Sequence, residues 1–167
     1  MIAVALALEL VACGAQLPTR LPSLARQRSY TIAVDTLGVE SALTATPDSA
    51  WKVLPAAYAS LDLPVHERDE AGRRLGACWI RVRQRIWGVP LSRFINCGEL
   101  RSMPNADRMD IELLILSLVK PDGRGGTTLS TFVLATAGDS AGSSNRIWCL
   151  STGALESRIL EAVQRLL

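Results

Sequence analysis

The sequence lacks the residue patterns of the common metal and nucleic-acid sites. Histidine occurs once, at His66, and no two cysteines have the C-x2-C spacing of zinc sites. The 18 basic and 16 acidic residues leave a formal net charge of +2, which is too balanced to predict nucleic-acid binding. We therefore expect no metal, no cofactor and no nucleic-acid partner.

The sequence also lacks an N-terminal apolar run long enough to cross a membrane, which takes about 20 residues. The run at the N-terminus covers only residues 1–12. This length is typical of the hydrophobic region of a signal peptide. Two features depart from that pattern, because no Lys or Arg precedes the run and Glu9 lies within it. The alternative is a buried N-terminal strand or helix of a cytoplasmic protein.

A lipobox-like motif, Leu10-Val11-Ala12-Cys13, ends this run. The motif predicts that Cys13 carries a lipid and is the first residue of the mature protein. The lipid would attach the protein to a membrane on its periplasmic side. The outer membrane is favoured over the inner one, because Gly14 rather than Asp follows the cysteine.

The segment after Cys13 differs from the rest of the chain. Residues 13–28 contain Pro18 and Pro22 and show no apolar period, as expected of a flexible tether. We predict a signal peptide at 1–12, a lipid-anchored tether at 13–28 and a single domain at 29–167.

Two helices are predicted in that domain. The run Thr46-Pro47-Asp48 is typical of a helix start, and Pro55 should kink or break the helix that follows. The second helix lies at the C-terminus, where Ser151 or Thr152 is expected to act as the cap.

Alternating apolar and polar residues predict the strands. The strands mostly follow one another along the chain, so the sheet should be largely antiparallel. We expect an α+β fold in which a curved, mostly antiparallel sheet packs against two helices on one face, a helix-grip-like arrangement. The predicted strands cover residues 29–37, 65–67, 77–87, 108–119, 127–137 and 146–150.

A row of arginines between two tryptophans is the candidate binding face. Alternation over residues 77–87 places five side chains on one face of a strand: Trp79, Arg81, Arg83, Arg85 and Trp87. Guanidinium groups and indoles at this spacing would suit an anionic or sugar-rich ligand. The alternative is cross-strand pairing with acidic residues, since Asp110 and Glu112 have the same spacing on a neighbouring strand.

The cysteines other than Cys13 suggest one structural disulfide. Cys97 and Cys149 each end a predicted element, and a bond between them would tie the middle of the domain to the base of the last helix. Closing a loop of about 50 residues would contribute roughly 3–4 kcal/mol. Cys78 would then remain a free thiol.

No pattern in the sequence indicates a catalytic site. The run Gly123-Arg124-Gly125-Gly126 lacks the Lys-Ser/Thr ending of a phosphate-binding loop and is typical of a hairpin tip. His66 has acidic neighbours, but no nucleophile is placed beside it, so we interpret it as a surface residue.

The lipobox, the tether and the element order together resemble the lipoprotein accessory subunit of the outer-membrane β-barrel assembly machinery, the BamC/NlpB type. The resemblance covers the topology from about Ser29 to Leu167. It implies a lipoprotein that works in an assembly with other proteins. Members of that family carry two such domains and a longer N-terminal segment, whereas this chain has room for one domain and a short tether.

Two functions fit these observations. The first is a non-enzymatic envelope lipoprotein that acts as an interaction or assembly module with an envelope protein partner. The second is a periplasmic carrier that holds a small apolar ligand between sheet and helix. The carrier would need a pocket lined by residues such as Ile80, Val82, Leu113 and Val133.

Overall fold

Two helices and a series of short and long strands make up the described chain. The computed structural model describes residues 38–138 and 146–167. The helices are α1 Pro47–Ser60 and α2 Ala154–Gln164. The strands are β1 Val39–Leu43, β2 Glu67–Asp69, β3 Arg74–Arg83, β4 Arg85–Ile86, β5 Val89–Pro90, β6 Ile95–Asn96, β7 Glu99–Leu100, β8 Met103–Pro104, β9 Asp110–Pro121, β10 Thr127–Gly138 and β11 Ile147–Ser151.

Antiparallel pairing joins these strands. Nine of them form one sheet with the order β5-β4-β3-β9-β10-β11-β6, in which β1 also pairs with β10 and β2 with β3. The remaining two, β7 and β8, form a separate hairpin. The predicted α+β fold with a mostly antiparallel sheet is confirmed. Strand β1 was not predicted from the sequence.

The two longest strands form the centre of the sheet. The β9–β10 hairpin pairs in register from Pro121–Thr127 to Asp110–Gly138, and β3 pairs with the other edge of β9. The second half of β9 is apolar at odd and even positions, which predicts a central strand of the sheet. Its central position in the sheet confirms that prediction.

Helix α1 begins where the sequence predicts. The N-cap residue is Thr46, whose Oγ1 accepts a hydrogen bond from the Ser49 amide at 3.2 Å, and Pro47 follows as the first helical residue. The helix ends at Ser60, with Leu61 as the C-cap and Asp62 at a φ of 51°.

Of the kink or short break predicted at Pro55, the break is absent. Helix α1 continues without interruption to Ser60, although proline cannot donate the backbone hydrogen bond that position 55 would make. Leu54 and Tyr58, which flank the proline, are fully buried in the main core. Packing on the sheet therefore stabilises the helix across the lost bond.

Both helices cover the same face of the sheet. Side chains from α1 and α2 join one core cluster with the odd-numbered residues of β9 and β10, such as Ile115 and Val133. Neither described helix is long and apolar enough to cross a membrane.

A chain of buried hydroxyl groups links α1 to the central hairpin. The Tyr58 hydroxyl donates to Ser117 Oγ at 2.9 Å, and Ser117 Oγ lies 3.1 Å from Thr131 Oγ1. All three side chains are buried. Burial raises the pKa of Tyr58 well above its usual range, so the phenol stays protonated as a donor.

The start of α2 differs from the predicted cap. The N-cap residue is Gly153, with a φ of 84° and no capping side chain, rather than Ser151 or Thr152. The hydroxyl of Thr152 instead donates to the Arg93 carbonyl at 2.7 Å. Thr152 therefore ties the loop before α2 to the 3-10 turn at Leu91–Arg93.

The predicted disulfide between Cys97 and Cys149 is confirmed. Strand β11 pairs with β6 at Leu150–Asn96, so the next position in register places Cys149 opposite Cys97. The bond therefore joins the residue that follows β6 to strand β11, two residues after β6 begins and five residues before α2 begins. It fixes the end of the sheet from which α2 starts.

Several predictions fall outside the described residues. These are the signal peptide at 1–12, the lipid at Cys13, the tether at 13–28 and the strand at 29–37. They stay predictions.

Replacing Glu156 should stabilise the protein. Its side chain is 4% exposed, and Oε2 has no hydrogen-bond partner among the described residues. We expect Glu156→Met to raise the free energy of unfolding by about 1 kcal/mol, because a buried unsatisfied group is removed. Urea denaturation measures this, with Glu161→Met on the exposed side of α2 as the control. A loss of stability at position 156 would contradict the prediction.

Removing the disulfide should destabilise the fold. The two cysteines are 52 residues apart in sequence. We expect Cys97→Ser with Cys149→Ser to lower the free energy of unfolding by about 4 kcal/mol, since the unfolded chain gains entropy. Urea denaturation without reductant measures the change, with each single variant as a comparison. Unchanged stability in the double variant would show that the bond adds nothing.

Candidate functional site

The outer face of the sheet, opposite α1 and α2, carries part of the predicted binding face. Strand β3 contains a bulge there, because Cys78 and Trp79 together oppose Leu114 between the pairs Ala77–Ile115 and Ile80–Leu113. Trp79 has a φ of 48°, and the Cys78 amide donates to His66 Nδ1 at 2.9 Å. The exposed His66 thus supports the bulge.

The arginines of β3 pair with acidic residues across the strand. Arg81 lies opposite Glu112, with Nε and Oε1 3.3 Å apart, and Arg83 lies opposite Asp110, with Nε and Oδ1 3.2 Å apart. Glu112 also contacts Arg146, whose Nη2 is 3.4 Å from Oε2. The cross-strand pairing weighed above is therefore present. Such exposed pairs contribute little stability, and a ligand for these arginines stays a prediction.

The other predicted members of that face lie elsewhere. Strand β3 ends at Arg83 rather than at residue 87, because Gln84 with a φ of 61° reverses the chain into β4. Arg85 is exposed and donates to the Gly88 carbonyl at 2.8 Å. The five predicted residues therefore do not share one surface.

Trp87 packs on the helix side instead. Its Nε1 donates to the Leu61 carbonyl at 2.7 Å, and its ring meets Phe94 edge-on with centroids 5.6 Å apart. The guanidinium carbon of Arg158 lies 5.4 Å from the same ring. Trp87 therefore joins the end of α1 to α2 rather than facing a ligand.

A second apolar cluster lies at the centre of the outer face. Leu114, Leu116 and Phe132 form its buried part. We call the following set the outer cluster: Cys78, Trp79, Leu114, Leu116, Phe132 and Leu134.

Cys78 is disulfide-bonded, so the prediction of a free thiol at this position is wrong.

A hairpin beside the Cys97–Cys149 disulfide carries exposed apolar side chains. Leu100 and Met103 pair across the two-residue turn of β7–β8 and are 56% and 49% exposed. The turn residues, Arg101 and Ser102, have φ values of 52° and 59°. Turns with two positive φ angles favour Asn and Gly, and left-handed backbone costs other residues roughly 1–2 kcal/mol each.

The base of this hairpin is firmly held. The backbone N–H of Asn105 donates to the Gly98 carbonyl at 2.9 Å. The side-chain amide of Asn105 donates to the Cys97 carbonyl at 3.1 Å. Cys97 is itself bonded to Cys149. The disulfide therefore fixes the position from which the exposed tip projects.

A surface cleft of about 320 Å³ opens next to the hairpin. Sequence reasoning missed this surface, although Leu100 and Met103 are isolated apolar residues in a polar turn region and could have indicated it. The cleft is lined by Glu99, Leu100, Asn105, Arg108, Met109 and Ile147.

A second cleft, of about 410 Å³, lies beside the β2–β3 turn. Two of the basic residues that line it are paired: Arg73 Nη2 lies 2.6 Å from Asp48 Oδ1, and Arg74 Nη2 lies 2.6 Å from Glu67 Oε1. Its positive charge is thus largely neutralised. The cleft suits an anionic ligand less well than its arginines alone suggest.

The residues that a carrier would use for its pocket are packed in the core. Leu113 is fully buried and Val133 is 6% exposed, while Ile80 and Val82 pack against the same cluster.

In residues 38–138 and 146–167, no group of three His, Cys, Asp or Glu side chains is arranged to hold a metal ion.

Two hydrogen bonds hold the carboxylate of Glu70. Glu70 Oε2 accepts from Trp51 Nε1 at 2.7 Å, and this bond, with the Arg68 bond at 2.5 Å, lowers the pKa of Glu70. The group is on the surface, beside the end of β2. Its interactions join α1 to the β2–β3 turn rather than forming a reactive site.

A glycine in the hairpin turn should stabilise the protein. We expect Ser102→Gly to raise the free energy of unfolding by about 1 kcal/mol, since glycine adopts positive φ without a Cβ clash. Urea denaturation measures the effect. The control is Ser157→Gly in α2, where the same change should be destabilising because the backbone is helical. A destabilising effect at both positions would contradict the assigned strain.

Comparison with known proteins provides no relative for this chain. No protein-family model matches the sequence, and no curated protein matches it. The resemblance to the BamC/NlpB type stays a prediction that rests on the lipobox and the element order.

Proposed function

We propose that this protein is an interaction module of the bacterial envelope that binds a protein partner through the β7–β8 hairpin. The observation that carries the proposal is the exposed apolar tip, Leu100 and Met103, on a strained turn next to a disulfide. The proposed role is binding without catalysis.

The disulfide supports a location outside the cytoplasm. Structural disulfides form and persist in oxidising compartments, such as the bacterial periplasm, and are rare in the cytosol. Cys97 and Cys149 are 6% and 2% exposed, which is typical of a structural rather than a regulatory bond. A lipid at Cys13 would add a membrane anchor, and the hairpin could bind a partner with or without it.

The hairpin has the features of a binding surface. Exposed apolar side chains that lie together in a polar surrounding are typical of protein interfaces. Leu100 and Ile147 line the same cleft. Arg101 and Ser102 adopt an unfavourable turn conformation that glycine would relieve, which favours a functional reason for the residues there.

The charges around the cleft indicate the kind of partner. Arg101 is at the hairpin tip and Arg108 lines the cleft, and both are exposed, whereas Glu99 is the single acidic residue in the lining. A protein segment with an apolar side chain between acidic residues would complement this surface. We therefore propose such a segment as the partner's contribution.

Photo-crosslinking tests the proposal. A benzoylphenylalanine placed at Met103 should capture a partner protein in cells that export the full chain. The captured protein, once purified, should bind the wild-type chain, and Leu100→Ser should weaken that binding at least tenfold, because an apolar anchor is lost.

The matched control is Val65→Ser, which alters another exposed apolar residue away from the hairpin. It should leave the affinity unchanged. Absence of an adduct at position 103, or equal binding by wild type and Leu100→Ser, would contradict the proposed docking surface.

A further inference from the structure

We propose that the partner's segment binds as an extended strand in the cleft between β7 and β11 and pairs with an open edge of β11. This inference rests on the proposed function and deepens it, because it states how the partner is recognised. The site is the cleft of about 320 Å³ that opens next to the hairpin.

The ladder between β6 and β11 ends at the disulfide. The two strands pair at two positions, and the Cys97–Cys149 bond occupies the next position in register. Continued by two more positions, the same register would place Glu99 opposite Ile147, but these two residues do not pair. The strands therefore separate directly after the disulfide.

Gly98 directs the chain away from β11. Its φ of 73° lies in the left-handed region that glycine adopts without a steric penalty. The Gly98 N–H donates to Asn96 Oδ1 at 2.8 Å, and the Gly98 carbonyl accepts from the backbone N–H of Asn105 at 2.9 Å. The backbone groups of Gly98 are thus bonded to the base of the hairpin rather than to β11.

The separation leaves part of β11 with an open edge. Ile147 and Trp148 pair with β10 on one side, whereas β6 pairs with Leu150 and Ser151 on the other. Among the residues that the structure describes, no strand pairs with the second edge of Ile147 and Trp148. An open edge of this kind accepts an added strand through backbone hydrogen bonds.

The cleft lies beside this open edge. Ile147 lines it from β11, and Glu99 and Leu100 line it from β7. Ile147 is 39% exposed and Leu100 is 56% exposed, so both sides of the cleft offer apolar surface. An added strand would gain apolar contacts as well as backbone pairing. It needs both, because an edge of two residues offers few hydrogen bonds.

The register of β11 indicates where the partner's apolar residue lies. Ile147 is opposite Ala137, which is buried in the main core, so both side chains are on the helix side of the sheet. A residue of the added strand opposite Ile147 would lie on the same face, since directly opposed residues share a face. The partner should therefore place a large apolar side chain at that position.

Charge indicates the residues at the ends of the segment. Arg108 lines the cleft and is exposed, and Arg101 lies at the exposed tip of the hairpin. Glu99 is the single acidic residue in the lining. Acidic residues on both sides of the apolar position would complement the two arginines.

A second copy of this chain complements the site less well. The apolar tip that a second copy would offer includes Arg101, so it would approach the Arg101 and Arg108 of the first copy. Like charges brought together in an interface are unfavourable. We therefore assign the cleft to a segment of a different protein.

A pair of synthetic peptides tests the strand pairing. The first is acetyl-Ser-Asp-Val-Leu-Val-Asp-Ser-amide, and the second carries an N-methyl group on each of the three central residues. The side chains of the two peptides are the same. We expect isothermal titration of the full chain to show binding of the first peptide and at least tenfold weaker binding of the second, because methylation removes backbone N–H donors.

Three results would contradict the proposal. Equal affinity for the two peptides would overturn the strand pairing. Absence of binding by the first peptide at millimolar concentration would overturn the chemistry that we assign to the segment. A dimer of the chain in sedimentation experiments that Leu100→Ser dissociates would show that a second copy occupies the cleft.

Amide hydrogen exchange tests which strand receives the peptide. Because backbone N–H groups alternate in direction along a strand, either Ile147 or Trp148 has its N–H on the open edge. We expect the first peptide to slow exchange at that amide in NMR spectra of the full chain. The reference is the Ser92 amide, which already donates to Asp107 Oδ1 at 2.8 Å and should be unaffected. Unchanged exchange at both β11 amides with the peptide bound would overturn the pairing with β11.

The strand pairing and the docking of a partner at the hairpin fail in different ways. Equal binding of the captured partner by wild type and Leu100→Ser contradicts docking at the hairpin. Weaker binding by Leu100→Ser, together with equal affinity for the two peptides, retains the hairpin as the docking surface and overturns the strand pairing alone.

Discussion

Burial of strand β9 on both faces is the constraint on which the fold depends. Its odd-numbered residues pack under α1 and α2, and its even-numbered residues Leu114 and Leu116 are buried on the opposite side. A strand of this kind needs a layer on each side of the sheet, because water on either face would contact several large apolar side chains. The two helices provide the layer on one side.

The end of the sheet near α2 meets a different requirement, which is precise positioning. The strands there, β6 and β11, are short and would be weak alone. The Cys97–Cys149 bond and the hydrogen bonds of Asn105 hold them, so the β7–β8 tip projects from a rigid base. A rigid base lowers the entropy lost on binding, which suits a small apolar surface that offers few contacts.

Sequence patterns predicted the parts of the fold that depend on local chemistry. The cap at Thr46, the hairpin around Gly123 to Gly126 and the strands β9 and β10 follow from periodicity and turn residues, and the Cys97–Cys149 pair follows from its placement at element ends. The failures have nonlocal causes. Packing carries α1 through Pro55, a bulge and a tight reversal at Gln84 separate Trp79 from Trp87, and the hairpin site becomes visible only when β11 lies beside it.

The buried hydroxyl chain has a consequence for strand alignment. If the β9–β10 hairpin slipped by two residues, every side chain would stay on its own face, so hydrophobic burial would hardly distinguish the slipped arrangement. The slip would, however, separate Ser117 from Thr131 and leave hydroxyl groups without partners in a dry interior. Tyr58 on α1 donates to Ser117 in the observed register. The hydrogen bonds of these three hydroxyl groups therefore favour the observed register of β9 and β10 over registers shifted by two residues.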